Sequence, residues 1–183
     1  MPKKKKSFRR EVIEVIAAFF IAWLAYQVIS AVAGTPLPIV SVVSDSMYHG
    51  PNNYGTMCGT TPGAVSGFED YWSICGGYYD NIGITGDEFR RFTNPNGLSR
   101  GDLLFVMRPD NPRTGDILIY RKSGSDFTIV HRLIETNDGF YITKGDNNNV
   151  ADPPVAKNYV VGKVVFAVPI LGYPRLLLHL IGI

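Results

Sequence analysis

Phe127-Thr128-Ile129-Val130-His131-Arg132-Leu133-Ile134-Glu135, followed beyond Asn137-Asp138-Gly139 by Phe140-Tyr141-Ile142-Thr143, reads as two strands and the turn joining them. Phe127, Ile129, His131 and Leu133 alternate with Thr128, Val130, Arg132 and Ile134, the period of two that a pleated strand imposes. Asn-Asp-Gly tolerates the positive φ angles of a tight hairpin, so the pair is antiparallel. Leu103–Met107, Asp116–Arg121 and Tyr159–Val168 carry the same signals, and Ile39–Val43 reads as a further strand. Arg100-Gly101-Asp102 and Thr114-Gly115-Asp116 are turns that aim the chain into two of them. With 12 prolines and 19 glycines punctuating a chain rich in Val, Ile, Tyr and Phe, the expectation is a mainly β, mostly antiparallel domain.

A different signal precedes it. Residues 1–10 carry Lys3, Lys4, Lys5, Lys6, Arg9 and Arg10 without an acid, and Val12 to Ala33 is apolar except for Glu14, Gln27 and Ser30. About 20 residues at about 1.5 Å each cross a hydrocarbon core of about 30 Å, so 11–33 is predicted to be a transmembrane anchor. The basic flank favours a cytoplasmic N-terminus and places residues 34–183 beyond the outer face of the cell membrane as a single-pass protein. Ala31-Val32-Ala33 resembles a small-residue cleavage site, but the apolar stretch exceeds a usual signal core. Gly34-Thr35-Pro36-Leu37-Pro38 ends the helix.

The net charge of +2 is carried by the basic tail, and the remainder shows no basic patch for nucleic acid. Residues 48–98 are rich in Gly, Asn, Thr, Pro and aromatics. They read as a long insertion without a core of its own, with one short helix near 85–92. Cys58 and Cys75, the only 2 cysteines, permit a disulfide on the exported side, free thiols being the alternative. Two cysteines without a histidine between them do not make a tetrahedral zinc site, and no metal or cofactor is expected. The apolar tail 169–183, interrupted by Pro174, Arg175 and His179, is too short to span a bilayer and is expected at the membrane surface or against the domain.

Chemistry needs a nucleophile and a base. Ser46, in Val43-Ser44-Asp45-Ser46-Met47, lies just past the anchor, where a serine can act on membrane-borne substrates. A serine hydroxyl is weak until a base, most often His held by a carboxylate, takes its proton. Of 3 histidines, His131 is mid-strand on an apolar face, where an ordinary buried ring is the competing reading. His49 sits in a polar loop and is expected to be solvated; His179 belongs to the tail. Asp146 and Asp152 share a loop after a strand. One could orient His131 while the other fixes that loop, or Asp146 could simply hold its own turn.

Ser44-x-Ser46-Met47, Arg100-Gly101-Asp102-Leu103-Leu104-Phe105, Gly115-Asp116-Ile117, Ile129-Val130-His131-Arg132, Thr143-Lys144-Gly145-Asp146-Asn147-Asn148 and Asp152 follow the order seen in type I signal peptidases. His131-Arg132, in place of a lysine, resembles the archaeal and endoplasmic-reticulum branch. The resemblance implies a β-rich catalytic domain on a membrane anchor, cutting signal peptides from exported preproteins without a cofactor, at the lipid bilayer and in the company of a protein translocase. It implies Ser46 as nucleophile, His131 as general base, Asp152 as the orienting acid and Asp146 as a supporting acid. Ser44, the Ser46 N–H and Met47 fall on the oxyanion and substrate side. Two alternatives stand beside it: a Ser-Lys protease using Lys144, whose place beside a Gly-Asp turn predicts exposure, and a non-catalytic membrane-anchored binding domain. The 50-odd residues between Met47 and Arg100 depart from the family pattern.

Overall fold

The computed structural model describes residues 8–122, 124, 127–169 and 171. Helix α1, Phe8–Ala33, is 26 residues long, and its apolar window has none of its surface buried within the protein. It is long and apolar enough to cross a membrane. It stops at Gly34, whose φ of 65° is the left-handed turn that glycine enters at least cost. Gly34 N–H donates to Ala31 O and Thr35 N–H to Ser30 O, each at 3.3 Å, so the last helical carbonyls are satisfied.

The chain then forms β1 (Ile39–Ser41), α2 (Gly67–Asn81), α3 (Gly86–Phe89), β2 (Leu103–Met107), β3 (Ile117–Arg121), β4 (Thr128–Thr136), β5 (Phe140–Lys144), β6 (Val155–Ala156), a 3₁₀ turn at Lys157–Tyr159 and β7 (Val160–Val168). The strands make one 7-stranded sheet in the order β1-β2-β7-β3-β4-β5-β6, every neighbouring pair antiparallel. The mainly β architecture behind an apolar N-terminal helix is thus the one expected from the sequence. Strand β1 pairs with β2 and ends the strand order, so its other edge has no strand partner among the described residues.

Two of the three apolar clusters among the described residues, the larger ones, bear on the site. Val40, Val42, Met47, Leu98, Leu104, Val106, Ile117, Ile119 and Val164 form one. The other was not foreseen: residues 48–98, expected to lack a core, bury Met57, Tyr71, Cys75, Tyr79, Ile84 and Phe89 against Ile134 of β4. Tyr71, Cys75 and Tyr79 recur every four residues along one face of α2, the face it turns inward. Tyr71, Tyr79 and Phe89 are wholly buried; area removed from water is worth about 4 kcal/mol for each such ring before conformational entropy is subtracted. A disulfide joins Cys58 to Cys75, Cα to Cα 5.6 Å, and fastens the loop before α2 to the middle of that helix. The tail 172–183, including His179, lies outside the described residues.

Candidate active site

The chain leaves β1 at Val42, where the Arg100–Asp102 turn grips it: Val42 N–H donates to Asp102 O and Gly101 N–H to Val42 O, both at 2.9 Å. Arg100 Nε donates to Val43 O at 3.0 Å. A turn closed by Tyr48 N–H to Asp45 O at 3.0 Å then presents Ser46 half-buried. Met47 is buried and closes the floor beneath the serine, and its sulfur accepts the Asp146 N–H at 3.4 Å. Ser46 O accepts the Asn147 N–H at 2.8 Å, so the loop after β5 is bonded directly to the serine's own backbone. Gly145 allows that approach, since a Cβ there would lie 2.8 Å from Ser46 O. Ser44 Oγ and Ser46 Oγ are 3.2 Å apart.

His131 is placed by β4, opposite Leu118 of β3. Its Nδ1 lies 2.6 Å from Asp152 Oδ2, and the imidazole is 8% exposed. The same carboxylate oxygen accepts Tyr120 O–H at 2.9 Å and Thr143 O–H at 2.7 Å. Burial alone would raise the Asp152 pKa, but the bond to His131 and its charge, then Thr143 and Tyr120, hold it below the ordinary carboxylate value. Burial, with the Asp152 charge nearby, raises the Tyr120 phenol, so it donates and does not ionise. Neither Tyr120 nor Thr143 stands out in the amino-acid sequence as a partner of the triad. The signal lay in strand parity: Tyr120 and His131 belong to paired strands, and Thr143 falls one position from Lys144, on the opposite face.

That parity separates Asp146 from His131. Asp146 is completely buried and takes no part in the imidazole's contacts. Arg132 Nε and Nη2 grip its two oxygens at 2.9 and 2.7 Å, Tyr79 O–H donates to Oδ1 at 3.1 Å, and His49 Nε2 lies 2.9 Å from Oδ2. The remaining Arg132 donors reach Thr93 O, Gly115 O and Asn94 O at 2.7–3.1 Å. Burial would raise the Asp146 pKa; the guanidinium and His49 outweigh it and hold the carboxyl well below its usual range. Asp146 therefore fixes the loop, not the imidazole.

Two sequence expectations are overturned on this side. His49 is not solvated: its ring stacks on Tyr71 at 3.5 Å between centroids, and its side chain is 8% exposed. Lys144 is not exposed either. It is buried between sheet and α2, its Nζ 4.6 Å from the centre of the Tyr79 ring and donating to Gly145 O at 3.1 Å. Both errors come from treating residues 48–98 as a surface loop, when that segment covers these positions. Burial lowers the Lys144 pKa to about 8, against partial compensation by the Asp146 charge.

Ser46 and His131 line one cavity of about 250 Å³, with Val40, Val42, Ile129 and Val130 as its apolar walls. With Nδ1 held by Asp152, the other ring nitrogen is the one left to exchange a proton. A hydroxyl, an imidazole and an orienting carboxylate at the mouth of an open sheet edge are the components of serine-type acyl transfer. Among the described residues no group of three or more His, Cys, Asp or Glu is placed to hold a metal ion.

No family model matches the chain. Curated proteins do. The signal peptidase complex catalytic subunit of Dictyostelium discoideum is 34% identical over 94 residues, covering 44% of this chain and 52% of that protein. The proteins of the same name from Schizophyllum commune and Leptosphaeria maculans are 34% and 37% identical over 110 and 96 residues, covering 44% of this chain and 57% and 56% of theirs. The resemblance carried by the short motifs thus extends to aligned stretches of about a hundred residues. The chain spans about half the length of the curated relatives it matches.

Proposed function

We propose that this protein is a membrane-anchored serine endopeptidase of the signal peptidase type, which removes signal peptides from exported preproteins. The observation that carries the reading is the 2.6 Å contact of His131 Nδ1 with Asp152, on a ring that shares a cavity with Ser46. The substrate lies as an extended strand beside β1, on the side away from β2, with alternate side chains in the apolar cavity. Ser46 Oγ turns from Ser44 into that cavity and gives its proton to His131 as it attacks the scissile carbonyl. The imidazolium, stabilised by Asp152, returns the proton to the leaving amine. Water then hydrolyses the acyl-serine by the same route. Ser44 Oγ and the Ser46 N–H are the donors for the developing oxyanion. Helix α1 anchors the domain in the membrane, its basic end on the cytoplasmic side and the sheet on the other, where preproteins emerge from a translocase.

Lys144 is a poor base for this serine, because it lies on the face of β5 opposite Thr143 and against the rings of α2. A merely binding domain has no use for a buried His-Asp contact aimed at a serine cavity. Incubating the protein in detergent micelles with one signal-bearing preprotein and sequencing the new N-terminus tests the proposal. Cleavage at one bond after the signal sequence, lost in Ser46→Ala, is expected; cleavage persisting in Ser46→Ala excludes it.

A further inference from the structure

Resting on that reading, we infer that the inserted segment builds a polar subsite for the first residues of the mature protein, beyond the bond that Ser46 attacks. Ser46 lies at the meeting of two cavities. The apolar one already described holds His131 and the β1 edge. The second, of about 330 Å³, is lined by Asp45, Asn53, Tyr54, Arg100 and Asn148. They share only Val43, Ser44 and Ser46. A strand advances about 3.3 Å per residue, so a peptide crossing the serine with its signal side in the apolar cavity enters the polar one within one or two residues. The assignment of sides follows from chemistry: the end of a signal peptide is small and apolar and matches Val40, Val42, Ile129 and Val130, whereas amide and phenol groups offer it nothing.

The polar cavity is built before substrate arrives. Asn52 Oδ1 accepts the Tyr54 N–H, Thr56 N–H and Thr56 O–H at 2.9–3.1 Å, and Gly55 N–H donates to Asn52 O at 2.8 Å. These bonds consume Asn52 and set the turn that projects its neighbours. Asn53 is exposed and Tyr54 is 90% exposed, so their amide and phenol groups are at liberty to meet a guest. Across the cavity Asn147 Nδ2 is committed to Asp45 O and Gly50 O at 3.2 and 3.0 Å, which fixes the wall carrying Asn148. Arg100 and Asp45 approach to 3.7 Å and largely offset each other's charge. Groups of this kind select an uncharged polar side chain, able both to donate and to accept, over a bulky apolar one.

Two preproteins identical except for Gln or Leu as the first mature residue test the subsite, with kcat/KM measured on the full-length protein in micelles. Wild type is expected to prefer Gln by roughly three- to tenfold, the discrimination of one hydrogen bond. Asn53→Ala combined with Tyr54→Ala, both on an exposed turn, is expected to reduce the preference below about twofold. Discrimination between Ala and Leu on the signal side of the bond should persist in that variant. A Gln preference unchanged in the double variant, or absent from the wild type, overturns the subsite and leaves the proposed activity standing. Absence of any Ser46-dependent cleavage overturns both.

Discussion

Asp152 Oδ2 draws bonds from an imidazole and two hydroxyls, and each of them is weaker if the oxygen is neutral. Asp152→Asn should therefore cost about 10⁴ in cleavage rate by disturbing which nitrogen of His131 carries the proton, and preprotein cleavage reads this directly. Ser46→Ala and His131→Ala should each abolish cleavage, with losses on the order of 10⁴ to 10⁶, while thermal unfolding moves little. Asp146 behaves oppositely. Its conversion to Asn leaves the Arg132 guanidinium buried without its counter-charge, and unfolding in denaturant should show a loss of about 3–5 kcal/mol. Acid makes the same point: since Asp146 is held below its ordinary pKa, the stability it contributes is present above about pH 4 and fades as pH falls further. Lys144 gives the alkaline counterpart. Its folded pKa of about 8 against an ordinary 10.5 means the unfolded chain binds more protons between those values, so stability rises with pH across that window. Comparing melting temperatures of wild type and Lys144→Met from pH 7 to 10 isolates the effect; the gap should narrow as pH rises.

At the level of elements, the strands were legible because their cues are local. Alternation in 127–135 and the Asn137-Asp138-Gly139 turn place β4 and β5 to within a residue or two, and Ser46, His131 and Asp152 could be singled out from motif order. Helix α2 was not legible. Gly76, Gly77, Tyr78 and Tyr79 are weak helix formers, and Gly67 enters the helix at a φ of 84°. What makes the segment helical is distant: the Cys58 bond, the sheet beneath Tyr71 and Tyr79, and the carboxylate that receives Tyr79 O–H. None of that has a signature within the segment itself. The same dependence predicts how the helix fails. Replacing Cys58 and Cys75 together by Ser opens a closure of 17 residues and should remove about 3 kcal/mol. Because Cys58 N–H also donates at 3.1 Å to Oδ1 of Asn147, the residue whose own N–H bonds Ser46 O, cleavage should fall along with the melting temperature. Loss of stability with full cleavage at a temperature where the variant is folded would show that α2 does not steady the serine loop.

On the scale of the whole molecule, helix and sheet are joined without slack. Arg108 N–H donates to Ala33 O at 2.8 Å, Thr35 O–H to Val161 O at 2.8 Å, and Tyr26 O–H to Pro36 O at 3.1 Å. Val28, Ile29 and Val32 of α1 face Phe105, Met107 and Phe166 across an apolar groove of about 310 Å³. With α1 in a bilayer, this fixes the height of the serine above the lipid as firmly as a jig holds a drill. On the proposed activity, the protein would then gauge its target by depth as well as by residue type. A preprotein whose greasy stretch is lengthened by a turn or two of leucines should hold its bond at the wrong level and escape cutting, although every residue flanking that bond is unchanged.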